Sequence, residues 1–260
     1  MQSTATTIRG MPVPPHALLL DFGGIIAETK WSTVVPAELV DYVYELVQGA
    51  VDRQRMEADL VEGDRAYAQW RDVVSRAYAP AELTHAQIWD NFVVADWPSQ
   101  ARLTVIDHAT ELTRLWIERG QEWQLRPGVP DLLDLTKRAE LPVAVVSNTA
   151  CGAPLRAFLD RVGVGERFAV QIYSDEVGVR KPNPAAIRAA TDRLEIPPSD
   201  CWFVGDKLFR DVLGARRAGI GRIILVPPPG RGAPSHPWLI PDDVAWSMTD
   251  VHHLLTEALG

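Results

Sequence analysis

The chain has 260 residues, 47% of them apolar and 23% charged, with a formal net charge of −8. Those proportions belong to a soluble globular protein of one large or two small domains. The acidic balance leaves no overall basic field to hold a nucleic-acid backbone or an anionic membrane. The sequence has no uninterrupted apolar run of the ~20 residues that a membrane span requires. Cys151 and Cys201 are the only cysteines, too few for a disulfide framework and without zinc-ligand spacing, so a reduced, cytoplasmic setting is expected. Neither nucleic acid nor membrane is expected as a partner.

Residues 1–16, MQSTATTIRGMPVPPH, are polar and Pro-rich and lack the apolar core of a signal peptide; they read as a flexible tail. Five short apolar runs follow: Ala17 to Phe22, Pro142 to Ser147, Ala169 to Ser174, Cys201 to Val204 and Arg222 to Val226. They are continuous rather than alternating, as strands buried on both faces are. Between the last four lie helical segments, Ala153 to Gly163, Pro184 to Glu195 and Phe209 to Gly219, punctuated by an N-terminal Pro or a C-terminal Gly. Strand and helix in alternation imply an α/β fold, a Rossmann-like parallel sheet core flanked by helices.

From about Lys30 to Trp123 the pattern changes to helical periodicity, as in DRAYAQWRDVVSRAY and VIDHATELTRLWIE. An all-helical domain over residues 30–123 is therefore expected inside an α/β domain formed by 17–29 and 124–260. The core resumes at Arg126-Pro127-Gly128, and Pro130 can open a helix. The PPPGRGAP segment from Pro227 reads as a loop.

In such sheets ligands collect beyond the carboxyl ends of the strands. The residues there are polar: Asp21, followed by Phe22-Gly23-Gly24; Ser147-Asn148-Thr149; and Gly205-Asp206, with Asp211 five residues on. Lys181 lies in a proline-stiffened loop, Gly178-Val179-Arg180-Lys181-Pro182. Three carboxylates at one sheet edge repel unless a cation or proton separates them, and a hard divalent ion such as Mg²⁺, which takes oxygen ligands, fits Asp21, Asp206 and Asp211. Ser147, Asn148 and Lys181 offer donors and charge for phosphoryl oxygens.

This ordered set resembles the haloacid dehalogenase superfamily of aspartate-nucleophile hydrolases. Its four motifs would be Asp21-Phe22-Gly23-Gly24-Ile25, Ser147, Lys181 and Gly205-Asp206 to Asp211, with the flap at Glu28-Thr29. The resemblance implies a Mg²⁺-dependent phosphatase acting through an aspartyl-phosphate on a small phosphorylated metabolite. It makes Asp21 the nucleophile and a metal ligand, Asp206 a direct ligand and Asp211 its support. Ser147 and Lys181 would hold the phosphoryl group, and the helical insertion would be a cap. The family's phosphatases usually carry a second Asp two residues after the nucleophile, as general acid and base; here it is Gly23, which retains only a main-chain carbonyl for the metal. Glu28, or a cap residue such as His85 or His108, is the candidate replacement acid. Two alternatives remain open: a dehalogenase-like hydrolase acting at carbon, against which the retained Asp206 argues, and a catalytically weak binding protein that has lost turnover with the second Asp.

Overall fold

The computed structural model describes residues 13–32 and 34–260. Most of the expected N-terminal tail, residues 1–12, lies outside that range; at its end, the His16 N–H donates to the Asp200 carbonyl at 2.7 Å. In chain order the elements are β1 (Ala17–Leu20), β2 (Ala27–Trp31), α1 (Ala37–Leu46), α2 (Arg53–Val74), α3 (His85–Phe92), α4 (Ser99–Asp107), α5 (Ala109–Gly120) and β3 (Gln121–Leu125). Then come α6 (Val129–Arg138), β4 (Val143–Ser147), α7 (Ala153–Arg161), β5 (Val170–Tyr173), α8 (Ser174–Val177), α9 (Pro184–Leu194) and β6 (Cys201–Gly205). A π-helical turn (Leu208–Val212) leads into α10 (Leu213–Ala218), followed by β7 (Arg222–Leu225), β8 (Asp243–Val244) and α11 (Met248–Leu259).

Six strands form one parallel sheet in the order β5-β4-β1-β6-β7-β8. Because side chains alternate across a strand, its two faces carry separate cores. Leu18, Leu20, Val143, Val145 and Val204 pack with α6, α7 and α11 on one side. Leu19, Ala144, Val146, Phe203 and Ile223 pack with α9 and α10 on the other. Each fully buried Leu or Ile in these layers contributes roughly 1.5–3 kcal/mol, which explains the continuous apolar runs. Four of the five runs match their strands within a residue at either end, and the first overruns β1 by two.

The five helices α1–α5 enclose a third core around Leu39, Val43, Met56, Leu60, Trp89 and Leu112. They are joined to the sheet through a two-stranded antiparallel ribbon in which Glu28 of β2 stands opposite Gln124 of β3. The flap residue Glu28 is thus a strand residue, and the helical pattern expected to run to Trp123 ends at Gly120, because Trp123 pairs with Thr29 inside the ribbon. No helix among the described residues is long and apolar enough to cross a membrane.

Candidate active site

Adjacent strands β4, β1 and β6 end at the same edge of the sheet, so Ser147, Asp21 and Asp206 are brought together by register alone. Asp21 follows β1, and its N–H donates to the Val204 carbonyl at 3.0 Å. Ser147 is the last residue of β4, and Asp206 follows β6 directly. Asp21, Ser147, Lys181, Asp206 and Asp211 are all buried, yet all five line one cleft of about 570 Å³.

Lys181 is the hub. Its ammonium donates to Asp21 Oδ1 at 2.7 Å and to the Val146 carbonyl at 2.7 Å, and it lies 2.8 Å from Asp211 Oδ1. Burial alone would drive the proton off such an amine, but the Asp21 and Asp211 carboxylates outweigh it and the pKa is raised. Asp211 responds in the opposite sense: Lys181 overcomes the penalty of burial and holds its pKa below the usual value. Its Oδ2 accepts from the N–H groups of Asp206 and Lys207 at 3.2 and 2.8 Å. Both Asp211 oxygens are thus engaged by protein, and the residue shapes the loop that carries Asp206.

Asp21 and Asp206 are the carboxylates under electrostatic pressure. Burial pushes the Asp21 carboxyl up to about 7; Lys181 pulls against this while Asp211 and Asp206 add to it. Burial, then Asp211, raises Asp206, whose Oδ2 is met by the half-exposed Lys207 ammonium at 2.5 Å. Oxygens of Asp21, Asp206 and Asp211 can all lie within 4.8 Å of one another. Buried, all-oxygen and short of positive charge, this donor set fits a hard divalent cation such as Mg²⁺.

Of the predicted phosphate-binding residues, Ser147 and Lys181 face the cleft with Asp21. Asn148 also lines the cleft and in addition fixes the lysine loop: its side-chain amide donates to the Lys181 carbonyl at 2.9 Å and its oxygen accepts from the Lys181 N–H at 2.8 Å. Glu28 lines the cleft from β2. His85 does not line it: its Nε2 is 2.8 Å from the Ala150 carbonyl and its Nδ1 is 3.0 Å from Thr110 Oγ1. His108 is likewise engaged by its own helix, with Nδ1 2.9 Å from the Thr104 carbonyl. Of the tryptophans in the insertion region, Trp31 and Trp123 reach the cleft, whereas Trp89 and Trp97 are core.

Arg126, absent from the sequence-based site, and Gly24 of its first motif secure the loop after Asp21. The Arg126 guanidinium donates to the Gly24 carbonyl, and its own N–H donates to the Ile26 carbonyl at 2.9 Å. Gly24 itself takes φ +80°, and a Cβ there would lie 2.7 Å from Asp206 Oδ2. The glycine at this position is required both by backbone conformation and by the approach of the carboxylate.

Comparison with known proteins gives the same frame. The chain is 28% identical over 216 residues to a probable phosphoglycolate phosphatase of Pseudomonas putida, covering 79% of each chain. It is 26% identical over 187 residues to the phosphoserine phosphatase of Thermus thermophilus, covering 67% of this chain and 74% of that one. A magnesium-bound HAD hydrolase of Bacillus subtilis shares its fold, with a TM-score of 0.55 at 16% identity over 93% of this chain and 99% of that one. The sequence profile of haloacid dehalogenase-like hydrolases matches residues 16–219, and the chain belongs to that family.

Proposed function

We propose that this hydrolase is a Mg²⁺-dependent phosphomonoesterase that passes a phosphoryl group through Asp21, acting on a small phosphorylated metabolite. The observation that carries this reading is the Asp21–Lys181–Asp211 hub beside Asp206 and Ser147 at one sheet edge. The phosphatase names of the two curated relatives support it, and the magnesium reported for the Bacillus subtilis hydrolase supports the choice of ion. In this reading residues 17–29 and 124–260 form the catalytic domain and residues 30–123 a cap over it.

Asp21, Asp206 and the Gly23 carbonyl would hold the ion, with Asp211 orienting the Asp206 loop. Bound there, Mg²⁺ supplies the positive charge that lets a phosphate dianion approach a carboxylate. Asp21 attacks phosphorus, the ester P–O bond breaks, and the leaving oxygen departs with that bond's electron pair and takes a proton. Water then attacks the aspartyl-phosphate, releasing phosphate and restoring Asp21. Lys181 and Ser147 hold the phosphoryl oxygens as charge shifts among them. Gly23 brings no acid to the leaving group, so Glu28, in the cleft wall, is assigned as the proton donor.

Phosphate release from a panel of sugar, acyl and alkyl phosphates, with Mg²⁺ and with EDTA, tests the reading. Metal-dependent release that falls at least a thousandfold in Asp21→Asn is expected on the scale of losing a nucleophile. Halide release from a 2-haloacid with no phosphate release would instead establish chemistry at carbon, and silence on both would leave a binding protein.

A further inference from the structure

Beyond the carboxylates, the cleft reaches Trp31 of β2 and Arg71 of α2. The same two residues also line a smaller pocket of about 80 Å³, walled by Tyr67, Ile88, Trp116 and Ile117. Arg71 thus stands where the space around Asp21 passes into the helical insertion.

Its guanidinium is held in place by aromatic faces, with the guanidinium carbon 5.5 Å from the ring centre of Trp31 and 5.0 Å from that of Tyr67. It is not neutralised. Nε is sealed from solvent and has no hydrogen-bond partner, and no carboxylate among the described residues lies within ion-pair distance of the group. Burial lowers its pKa and Arg180 and Arg210 repel it, while Tyr67, Asp64 and Glu82 act on it in the opposite sense without ion-pair contact. Arg71 as a whole is half-buried, and its fork of donors matches a carboxylate or phosphate.

The other cations of the cleft are engaged. Lys181 serves Asp21 and Asp211, Lys207 serves Asp206, and Arg126 serves the Gly24 carbonyl. Arg210 lies near Asp206 and Asp211 and acts on both. Among these cleft cations Arg71 is left without a carboxylate in ion-pair contact, where the cleft meets the helical insertion.

We propose that Arg71 determines specificity by receiving a second oxyanion, a carboxylate or a second phosphate, carried by the substrate at the end away from the ester. This rests on the phosphatase reading above and names its substrate class: phosphate monoesters with an anionic tail.

The test compares, with Mg²⁺ present, phosphate esters of ω-hydroxy acids of two to five carbons, bisphosphates of the same lengths, and alkyl phosphates with uncharged tails. In the wild type an anionic-tail ester is preferred about 10- to 100-fold in kcat/KM, mostly through KM, the scale of one charge-assisted hydrogen-bonded contact. The better series, carboxylate or bisphosphate, identifies the oxyanion. Arg71→Gln removes most of that preference and Arg71→Lys restores part of it. Equal kcat/KM for charged and uncharged tails in the wild type overturns the subsite without reference to any variant's folding, as does an unaltered preference in a folded Arg71→Gln. Release from alkyl phosphates at such parity leaves the phosphatase reading standing, whereas no release from any ester brings down both.

Discussion

Glu82 and Arg180 form an ion pair 2.8 Å long whose two side chains are each only 1% exposed, and the pair joins the helical insertion to the loop that carries Lys181. Ser174 donates to the other Glu82 oxygen at 2.6 Å, and Arg180 lies 4.9 Å from the centre of the Trp70 ring. Around it the Glu82 N–H donates to the Gly178 carbonyl, and Arg217 donates to the carbonyls of Ala77 and Tyr78. The insertion is therefore fastened to the sheet domain at a third place, besides the two strands of its ribbon. Any opening of the cleft by movement of the whole insertion must break these contacts.

Breaking a buried pair by removing one partner costs about 3–5 kcal/mol, since the other charge is left without compensation. Arg180→Met, which strands the Glu82 carboxylate, is expected to lower the melting temperature on the order of 10 °C for a chain of this size. Glu82→Gln keeps an acceptor for Arg180 and should cost clearly less. Thermal unfolding of the two variants beside the wild type checks the order, and equal losses would contradict it.

The same carboxyl sets a pH dependence. Burial raises the Glu82 pKa above 4.5 even though Arg180, the Ser174 hydroxyl, the Leu83 N–H and Arg71 all pull it down. A carboxyl with a raised folded-state pKa contributes stability that is fully present below 4.5 and is lost as pH rises through the folded value. The difference in melting temperature between wild type and Glu82→Gln should therefore move in favour of the variant between pH 4 and neutrality. A difference constant with pH would remove Glu82 as its source.

Gly24→Ala tests the loop beneath the proposed metal site. At φ +80° an L-residue costs roughly 1–2 kcal/mol, and the new methyl would press on Asp206 Oδ2. Loss of Mg²⁺ affinity on the order of tenfold is expected by calorimetric titration, taking one hydrogen-bond-sized perturbation as the scale. Gly163→Ala is the control. Its φ of +75° brings similar strain, but nothing lies within 4 Å of the added carbon, so stability should fall while Mg²⁺ affinity holds.

What the sequence displayed and what it hid divide along physical lines. Strands β1, β4 and β6 are buried on both faces, so their composition gives them away, and the polar residue that follows or closes each one lands in the cleft as expected. Ribbon strand β3, QEWQL, is polar and half exposed; it carries no apolar run and reads as the frayed end of a helix. β8 is two residues long and owes its place to pairing with β7. The Glu82–Arg180 pair spans 98 positions, beyond the reach of any local pattern. Arg71 lies in the middle of a helical pattern that marks it no differently from its neighbours, and only the approach of its guanidinium to Trp31 and Tyr67 brings it to the cleft. Asn148 was legible as a polar residue at a strand end, whereas its engagement with Lys181 depends on a loop 33 residues away.

The departure at Gly23 yields the most direct prediction. General acid and base assistance is worth roughly 10²- to 10⁴-fold, and the family position that supplies it is held here by a residue with no side chain. A Cβ at Gly23 would meet only Thr29 Oγ1 at 3.9 Å, an ordinary contact, and the backbone there is not in the left-handed region. The site therefore has room for the start of the missing side chain, and nothing in the local conformation demands glycine. Gly23→Asp is expected to fold and to raise turnover of alkyl phosphates, which need a proton on the leaving oxygen, by about ten- to a hundredfold, a part of the full effect. Acyl phosphates, whose leaving group departs unprotonated, should gain little. Glu28→Gln should show the converse in the wild-type background, slowing alkyl esters more than acyl phosphates. In a Gly23→Asp background the same substitution should cost less, because the aspartate then supplies the proton. If both backgrounds lose equally, Glu28 is not the donor and its place in the cleft wall has another purpose.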